Sequence, residues 1–560
     1  MSSVRHPRIS NSWARRLRAS NEVSSSTDAY RYDEVGMIKW FLMRAPLRRG
    51  GWPAAFMVRA GVTSAMLLST LALAPPAATR VSSTSYRVSH NNTGPYAAAP
   101  IRLPAPRSNY GSTVPEHYRQ LMLARFSKKI PAFARKYSLP CSACHTTWPE
   151  LSAFGTRFRD NGYQLGNDRD APTWQTPAYW PAAIRTSPQW HFERTDHQPV
   201  DAVPGDATSG TVERTLTQHG FDLSGVDLLF IGTLHKNISF GFVSAIENTG
   251  EVGLEAAFVR FDDLLDTHWA NVKLGKFELD NMVSEKRQFW LSGNGGFYQS
   301  YHFVPVGSAT TFGLGDNQLG VELSGHSANS YTRYGAALIE STDGNPNLDG
   351  GGHSYDGAFT FSQAFDAGAL GVQRIGAYAY LGQRPTSFET SGGEPIAGTG
   401  LLNKPFQRYG VVGDFYLGSL ELLPLYLRGS DDAYLGTATA GDQPLPAGAR
   451  SAQWNAGFLE LHYYVNPQLV LLQRSEIIRM SQQALPTTPS NLGNIDAYTF
   501  GYRWYPMMTS RAGLALHTEF SMAKTLGAAP LSGAGTGLPP LSTDTPVWAR
   551  SLLFALDFAF

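Results

Sequence analysis

Along the C-terminal part of the chain, apolar residues alternate with polar ones in short runs instead of recurring at helical intervals. Leu319, Val321 and Leu323 fall on one face of a strand over Asn317 to Ser324, with Gln318, Gly320, Glu322 and Ser324 on the other. Tyr498, Phe500, Tyr502 and Trp504 alternate with Thr499, Gly501 and Arg503. Leu514, Leu516, Phe520 and Met522 alternate with Ala515, His517, Glu519 and Ser521. The last run sets Leu552, Phe554, Leu556, Phe558 and Phe560 against Ser551, Ala555, Asp557 and Ala559. A period of two over about 9 to 11 residues is the pattern of a membrane-crossing strand with one face to lipid and one to a lumen. The segments Leu254 to Phe261 and Leu469 to Arg479 are apolar on both faces and fit the pattern less cleanly.

The connections alternate in length. Short turns fall near Asp263 to Thr267, Ser327 to Asn329, Asp366 to Ala369, Gly418-Ser419, Asn466-Pro467 and Pro506 to Ser510. Long Gly/Pro/Ser-rich loops fall between them, at Asp280 to Thr310, Ser341 to His353, Pro385 to Pro405, Gly429 to Arg450, Met480 to Leu492 and Ala523 to Pro546. Short periplasmic turns, long outer loops and an even strand count characterise bacterial barrels, and residues 183–560 predict about sixteen antiparallel strands. A β-propeller also has many short strands, but it requires a repeat of roughly 40 to 50 residues, and none recurs here.

Composition agrees with a mainly β chain: of 560 residues, 55 are glycine and 12% are aromatic. The net charge of +1 offers no basic surplus for nucleic acid. Residues 1–56 are polar and arginine-rich without a steady period, and read as disordered or as upstream of the true start. Residues 57–79 have the layout of a secretory signal peptide, with Arg59, an apolar run from Ala60 to Leu73, and the small residues of Ala74-Pro75-Pro76-Ala77-Ala78. That run is shorter than the ~20 residues of a spanning helix. Residues 80–115 read as a linker.

Residues 116–182 carry the chemistry. A helix is expected over Glu116 to Ser127, and Thr147 with Glu150 has capping-box spacing for a second helix carrying Leu151, Phe154 and Phe158, stopped at Gly162. Between them stands Cys141-Ser142-Ala143-Cys144-His145, which uses both cysteines of the chain. This is the pattern of covalent c-type haem attachment: Cys141 and Cys144 on one turn can each form a thioether, and His145 then supplies an axial imidazole. A dithiol redox site would need a βαβ context, and a zinc site would need further ligands that no other cysteine supplies. Candidates for a second axial ligand are His117, Met122, His191 and His219.

Pro131-Ala132-Phe133-Ala134-Arg135, the C-x-x-C-H motif, Pro149-Glu150-Leu151-Ser152-Ala153-Phe154-Gly155 and Asn161-Gly162-Tyr163 resemble the fused monohaem cytochrome-porins of the outer membrane, including the iron oxidases of iron-oxidising bacteria. The resemblance covers about thirty-five residues. Lys136, Tyr137 and Ser138 stand where that family usually has glutamine, threonine and glycine. It implies a small helical cytochrome c plug ahead of the barrel, one covalent haem c, and an oxidoreductase or electron carrier. Its partners would be an extracellular donor such as Fe(II), a periplasmic c-type cytochrome and outer-membrane lipid. Loop carboxylates such as Asp343, Asp349, Asp431 and Asp432 could hold ferrous iron transiently. The alternatives are a haem-plugged porin for solute passage, or the same electron path run outward to extracellular acceptors.

Overall fold

The structure is a computed structural model that describes residues 132–165, 182–246, 250–340 and 355–560, apart from short stretches within them, the longest internal one being 396–402. The expected unstructured start, signal peptide, linker and first helix lie outside the described residues, as do His117, Met122, Asp343 and Asp349.

Sixteen antiparallel strands close into one barrel. They are β1 (Ala182–Val203), β2 (Asp206–His235), β3 (Ile238–Ile246), β4 (Val252–Phe261), β5 (Asn271–Phe277), β6 (Gln318–His326), β7 (Thr332–Glu340) and β8 (Tyr355–Asp366). There follow β9 (Val372–Arg384), β10 (Lys404–Leu417), β11 (Leu420–Asp431), β12 (Ala452–Asn466), β13 (Leu469–Gln482), β14 (Ile495–Met508), β15 (Gly513–Leu526) and β16 (Pro546–Ala559). Each strand pairs with the next, and β16 pairs with β1. The chain's last residue completes the closure: Phe560 and Ile184 exchange backbone hydrogen bonds of 2.9 and 2.7 Å. Closure pairs the strands all round the wall, which is the condition for strands to cross hydrocarbon, and beyond the wall residues 206–223 of β2 run on paired with β1 alone.

Alternation sorts the two faces as the sequence predicts. Val321, Leu323, Tyr502, Trp504, Phe520, Phe554 and Leu556 are exposed outside, while Arg503, Glu519, Ser521 and Asp557 are fully buried inside. Trp269, Tyr463 and Trp504 are exposed close to the short turns, as expected of an interfacial aromatic girdle. An apolar belt with such a girdle is the exterior of a barrel set in a lipid bilayer.

The lumen is not an open channel. The connection from β5 to β6, residues 278–317, is not an outer loop over Asp280 to Thr310 but folds into the barrel. Leu279, Tyr298, Tyr301, Phe303, Phe312 and Leu314 on it are buried against Ile339, Tyr380, Phe406, Leu427, Trp454 and Phe458 of the wall. Ring contacts join the two layers: Phe312 to Tyr380 at 4.1 Å, Tyr298 to Phe458 at 4.5 Å and Phe303 to Trp454 at 5.3 Å between centroids. This inner core explains the strands that alternate poorly. On β13, Val470, Leu472 and Ile478 face inward and are buried at 0 to 4% exposure, so apolar residues are required on both faces.

A loop buried in this way must find partners for its backbone, and charged wall residues supply them. Glu519 accepts from the N–H groups of Leu291 and Ser292 at 2.9 and 3.3 Å. Glu476 accepts from those of Gln299 and Ser300 at 3.0 and 2.5 Å. Arg474 donates to the carbonyls of Gly295 and Phe297 at 2.6 and 2.9 Å, and Arg503 to that of Phe289 at 2.8 Å.

The segment ahead of the barrel lies at the end where the short turns are. Among the described residues it contains three short helices, α1 (Ala132–Tyr137), α2 (Cys141–Cys144) and α3 (Ala153–Asp160). Inward-facing wall residues grip it from several sides. Tyr505 of β14 donates to the Trp148 carbonyl at 2.6 Å, and Arg185 of β1 lies 5.1 Å over the Trp148 ring. Arg260 of β4 donates to the Arg159 carbonyl at 2.9 Å, and Arg333 of β7 pairs with Asp160 at 3.0 Å. A cavity of about 100 Å³ remains between α3 and the wall, lined by Arg159, Arg260, Lys273, Glu322 and Arg333 among others, room for a few waters.

Two outcomes are expected. Among the described residues Asp557 is the ion-pair partner of both Arg185, at 3.0 Å, and Arg503, so Asp557→Ala leaves the fully buried Arg503 without its counter-charge. It should cost roughly 3–5 kcal/mol, read as a lower melting temperature of the heat-modifiable band. Excising 286–312 should turn a barrel with little or no conductance in a planar bilayer into a conducting one.

Candidate haem-attachment site

α2 is a single turn. The Ala143 N–H donates to the Pro140 carbonyl and the His145 N–H to the Cys141 carbonyl, both at 3.0 Å, so Cys141 and Cys144 stand at the two ends of the turn. Both thiols are unpaired with each other. Cys141 Sγ points to the Thr509 carbonyl at 2.9 Å, in the short turn after β14. Burial pushes both thiols up, Cys144 to about 11, with the neighbouring Cys141 adding to the shift.

His145 leaves the turn in extended conformation and bridges Leu151 as a short antiparallel pair. Its Nδ1 lies 3.1 Å from the Pro149 carbonyl and 3.0 Å from the Glu150 carbonyl. Carbonyls only accept, so Nδ1 carries the proton. The lone pair is then on Nε2, which has no hydrogen bond among the described residues. Burial holds the imidazole below its ordinary pKa and hence neutral. A ring fixed through one nitrogen by backbone carbonyls, with the other nitrogen presented, is how proteins orient a metal-ligating histidine. The residues present therefore fit a covalently attached haem, with Cys141 and Cys144 as attachment points and His145 as axial ligand.

The scaffold behind the turn departs from the expected capping box. Thr147 is buried and only its carbonyl meets Glu150, accepting from the Glu150 N–H at 2.9 Å. α3 starts later, capped by Ser152, whose hydroxyl accepts from the Gly155 N–H at 3.2 Å. The cause is the His145 to Leu151 bridge, which holds residues 147–150 in a reversal and leaves Leu151 ahead of the helix. Ser152 closes the reversal by donating its N–H to the Cys144 carbonyl at 2.9 Å. The helix does stop at Gly162, whose φ of 72° is left-handed. Phe158 packs on Phe133, Tyr137 and Tyr163 at 5.0, 5.5 and 6.2 Å, so its ring serves the protein interior.

Other residues singled out from sequence have different surroundings. His191 sits on β1 with Nδ1 3.8 Å from Asp222, and His219 is exposed on β2. Asp431 is buried and paired with Arg408 at 2.8 Å. Asp432 caps a helical turn through the Tyr434 N–H at 3.0 Å. These two aspartates are structural and not open loop ligands. Sequence reasoning missed the neighbours of Glu150. Its carboxylate accepts from the Tyr464 hydroxyl at 2.9 Å, and burial together with the facing Glu421 carboxylate pushes it well above the usual range. Glu421 and Tyr464 are remote in sequence, and the one available signal was an acidic residue at an inward strand position.

No protein-family model matches the chain, and no curated protein matches it. Among solved structures, an anion-selective porin from Comamonas acidovorans is similar with a TM-score of 0.42 at 11% identity, over 68% of this chain and 99% of that one. OmpT, an outer membrane protein of Vibrio cholerae, in its trimer form, gives 0.38 at 12%, over 67% and 99%. The outer membrane channel DcaP of Acinetobacter baumannii gives 0.38 at 9%, over 67% and 97%.

A Cβ on Gly155 would lie 2.0 Å from the Cys144 carbonyl oxygen. Gly155→Ala should therefore force α3 off the turn at a cost of about 1–3 kcal/mol, seen as new proteolysis between Cys144 and Ala153 with the barrel band intact. In haem-free protein, alkylation of Cys144 should rise only as pH nears 11, against about 8.5 for an ordinary thiol.

Proposed function

We propose that this protein is a one-electron carrier of the bacterial outer membrane, holding one c-type haem on Cys141, Cys144 and His145. By resemblance the extracellular donor is Fe(II), and the acceptor is a periplasmic c-type cytochrome. The observation that carries the reading is the setting of His145, whose Nδ1–H donates to the Pro149 and Glu150 carbonyls and leaves the lone pair on Nε2, directly after a turn with two free thiols. When bound, haem supplies an iron that alternates between two oxidation states.

The rest of the work falls to the chain. Cys141 and Cys144 fix the attachment points. The Pro149 and Glu150 carbonyls keep the imidazole in one tautomer and one orientation. Wall residues Tyr505, Arg260 and Arg333 hold the segment against the barrel. The inner loop fills much of the lumen with packed apolar and aromatic side chains. A filled lumen blocks free diffusion of solute.

Solute passage is the second reading, and the porin-like closed barrel favours it. It requires residues 278–317 to leave the lumen, against the hydrogen bonds from Glu519, Glu476, Arg474 and Arg503.

The test is anaerobic mixing of purified, export-matured protein with Fe(II). A c-type absorbance change is expected, abolished in Cys141→Ala/Cys144→Ala and at least tenfold slower in His145→Ala. Intact mass showing no covalent addition at Cys141 and Cys144 overturns the reading. Bilayer conductance that is the same with haem present or absent would support solute passage.

A further inference from the structure

The Glu150 carboxylate opens onto a second cluster that the haem reading does not use. Ligand atoms of Glu150, Glu421 on β11 and His462 on β12 lie within 4.8 Å of one another, and Glu421 and His462 are 1% and 3% exposed. A cation bound at about 2.0–2.2 Å from each ligand atom spans that spacing after small side-chain shifts.

Three features show that the cluster is arranged for a cation and is more than crowded acid. His462 presents Nδ1 to Glu421 at 2.9 Å, while its Nε2 is held by Glu460 at 2.7 Å. A carboxylate on the far ring nitrogen is the usual device for aiming a metal-binding imidazole. The carboxylates are also held: Tyr464 Oη lies 2.9 Å from Glu150 Oε2 and 2.5 Å from Glu421 Oε2, its single proton shared between them, and Tyr416 donates to Glu421 Oε1 at 2.8 Å. Finally, four carboxyl groups, those of Glu150, Glu421, Glu460 and Asp414, crowd around one imidazole. Glu460 is 1% exposed, and its Oε2 is buried without a hydrogen bond, with Arg474 Nη1 3.8 Å away. Asp414, facing Glu421, also has a buried oxygen without one.

We propose that Glu150, Glu421 and His462 bind one divalent transition-metal cation, which fastens the segment bearing Cys141 and His145 to the barrel wall. Two carboxylates and one imidazole suit Mn(II), Fe(II) or Zn(II). Glu460, Tyr464 and Tyr416 form the outer layer. The cation takes the place of the His462 Nδ1 proton, which faces Glu421 at 2.9 Å, and it joins a residue five positions from His145 to two adjacent strands. The inference stands whether or not haem is attached, since none of these side chains belongs to the attachment motif.

The experiment uses the full chain folded in detergent with equimolar Mn(II), followed by the electron paramagnetic resonance signal of free Mn(II). Loss of that signal at one Mn(II) per chain is expected, reversed by excess Zn(II). Glu421→Gln and His462→Ala should abolish binding, and Glu460→Gln should weaken it 10- to 100-fold, with the heat-modifiable band retained. If His462→Ala does not assemble, the isosteric Glu460→Gln decides. An undiminished free signal, or binding unchanged in the variants, overturns the proposal.

Discussion

The constraint on which the structure depends is that a water-excluding lumen must satisfy every backbone group placed in it. Forty residues, 278–317, run through the interior of the barrel, and much of their path lies where solvent cannot reach. Their N–H and C=O groups are met by side chains from the wall: Glu519 and Glu476 take donors, and Arg474 and Arg503 supply acceptors with protons. Each wall charge is then buried, which is costly unless it is itself paired. Asp557 answers Arg503 and Arg185, and Asp160 and Asp280 answer Arg333. The charged layer of the lumen and the packed loop therefore require one another.

The same arrangement holds the segment ahead of the barrel. Its described helices have 4 to 8 residues, too short to bury a core alone. Tyr505, Arg260, His326 and Arg333 supply what is missing by binding its carbonyls and Asp160. The barrel is in this sense the second half of the small domain's core. It also brings Glu421 and His462 to Glu150, joining strands more than 250 residues away in sequence to the turn that presents His145.

The filled lumen separates two functions that share one architecture. A conducting barrel keeps polar inward side chains in contact with water, whereas here Leu427, Trp454 and Ile339 have no exposed surface at all. Bulk solute cannot cross such an interior without displacement of the inner loop.

The sequence by itself determined the barrel, because membrane strands must alternate and the alternation of Leu319 to Ser324, Tyr498 to Trp504 and Leu552 to Phe560 is local information. It also determined strand number and the short turns, since turn chemistry is written in a few adjacent residues, and it identified the spacing of Cys141, Cys144 and His145. What only the tertiary structure decided is where residues 278–317 go, where α3 begins, and which acids meet Glu150. A loop that enters a lumen has the same Gly/Pro/Ser composition as one that leaves it. The capping box at Thr147 gave way to Ser152 because a bridge between His145 and Leu151 overrides local capping. Glu421 and His462 carry no pattern in the chain, because closing a barrel is what makes neighbours of residues that no local period connects.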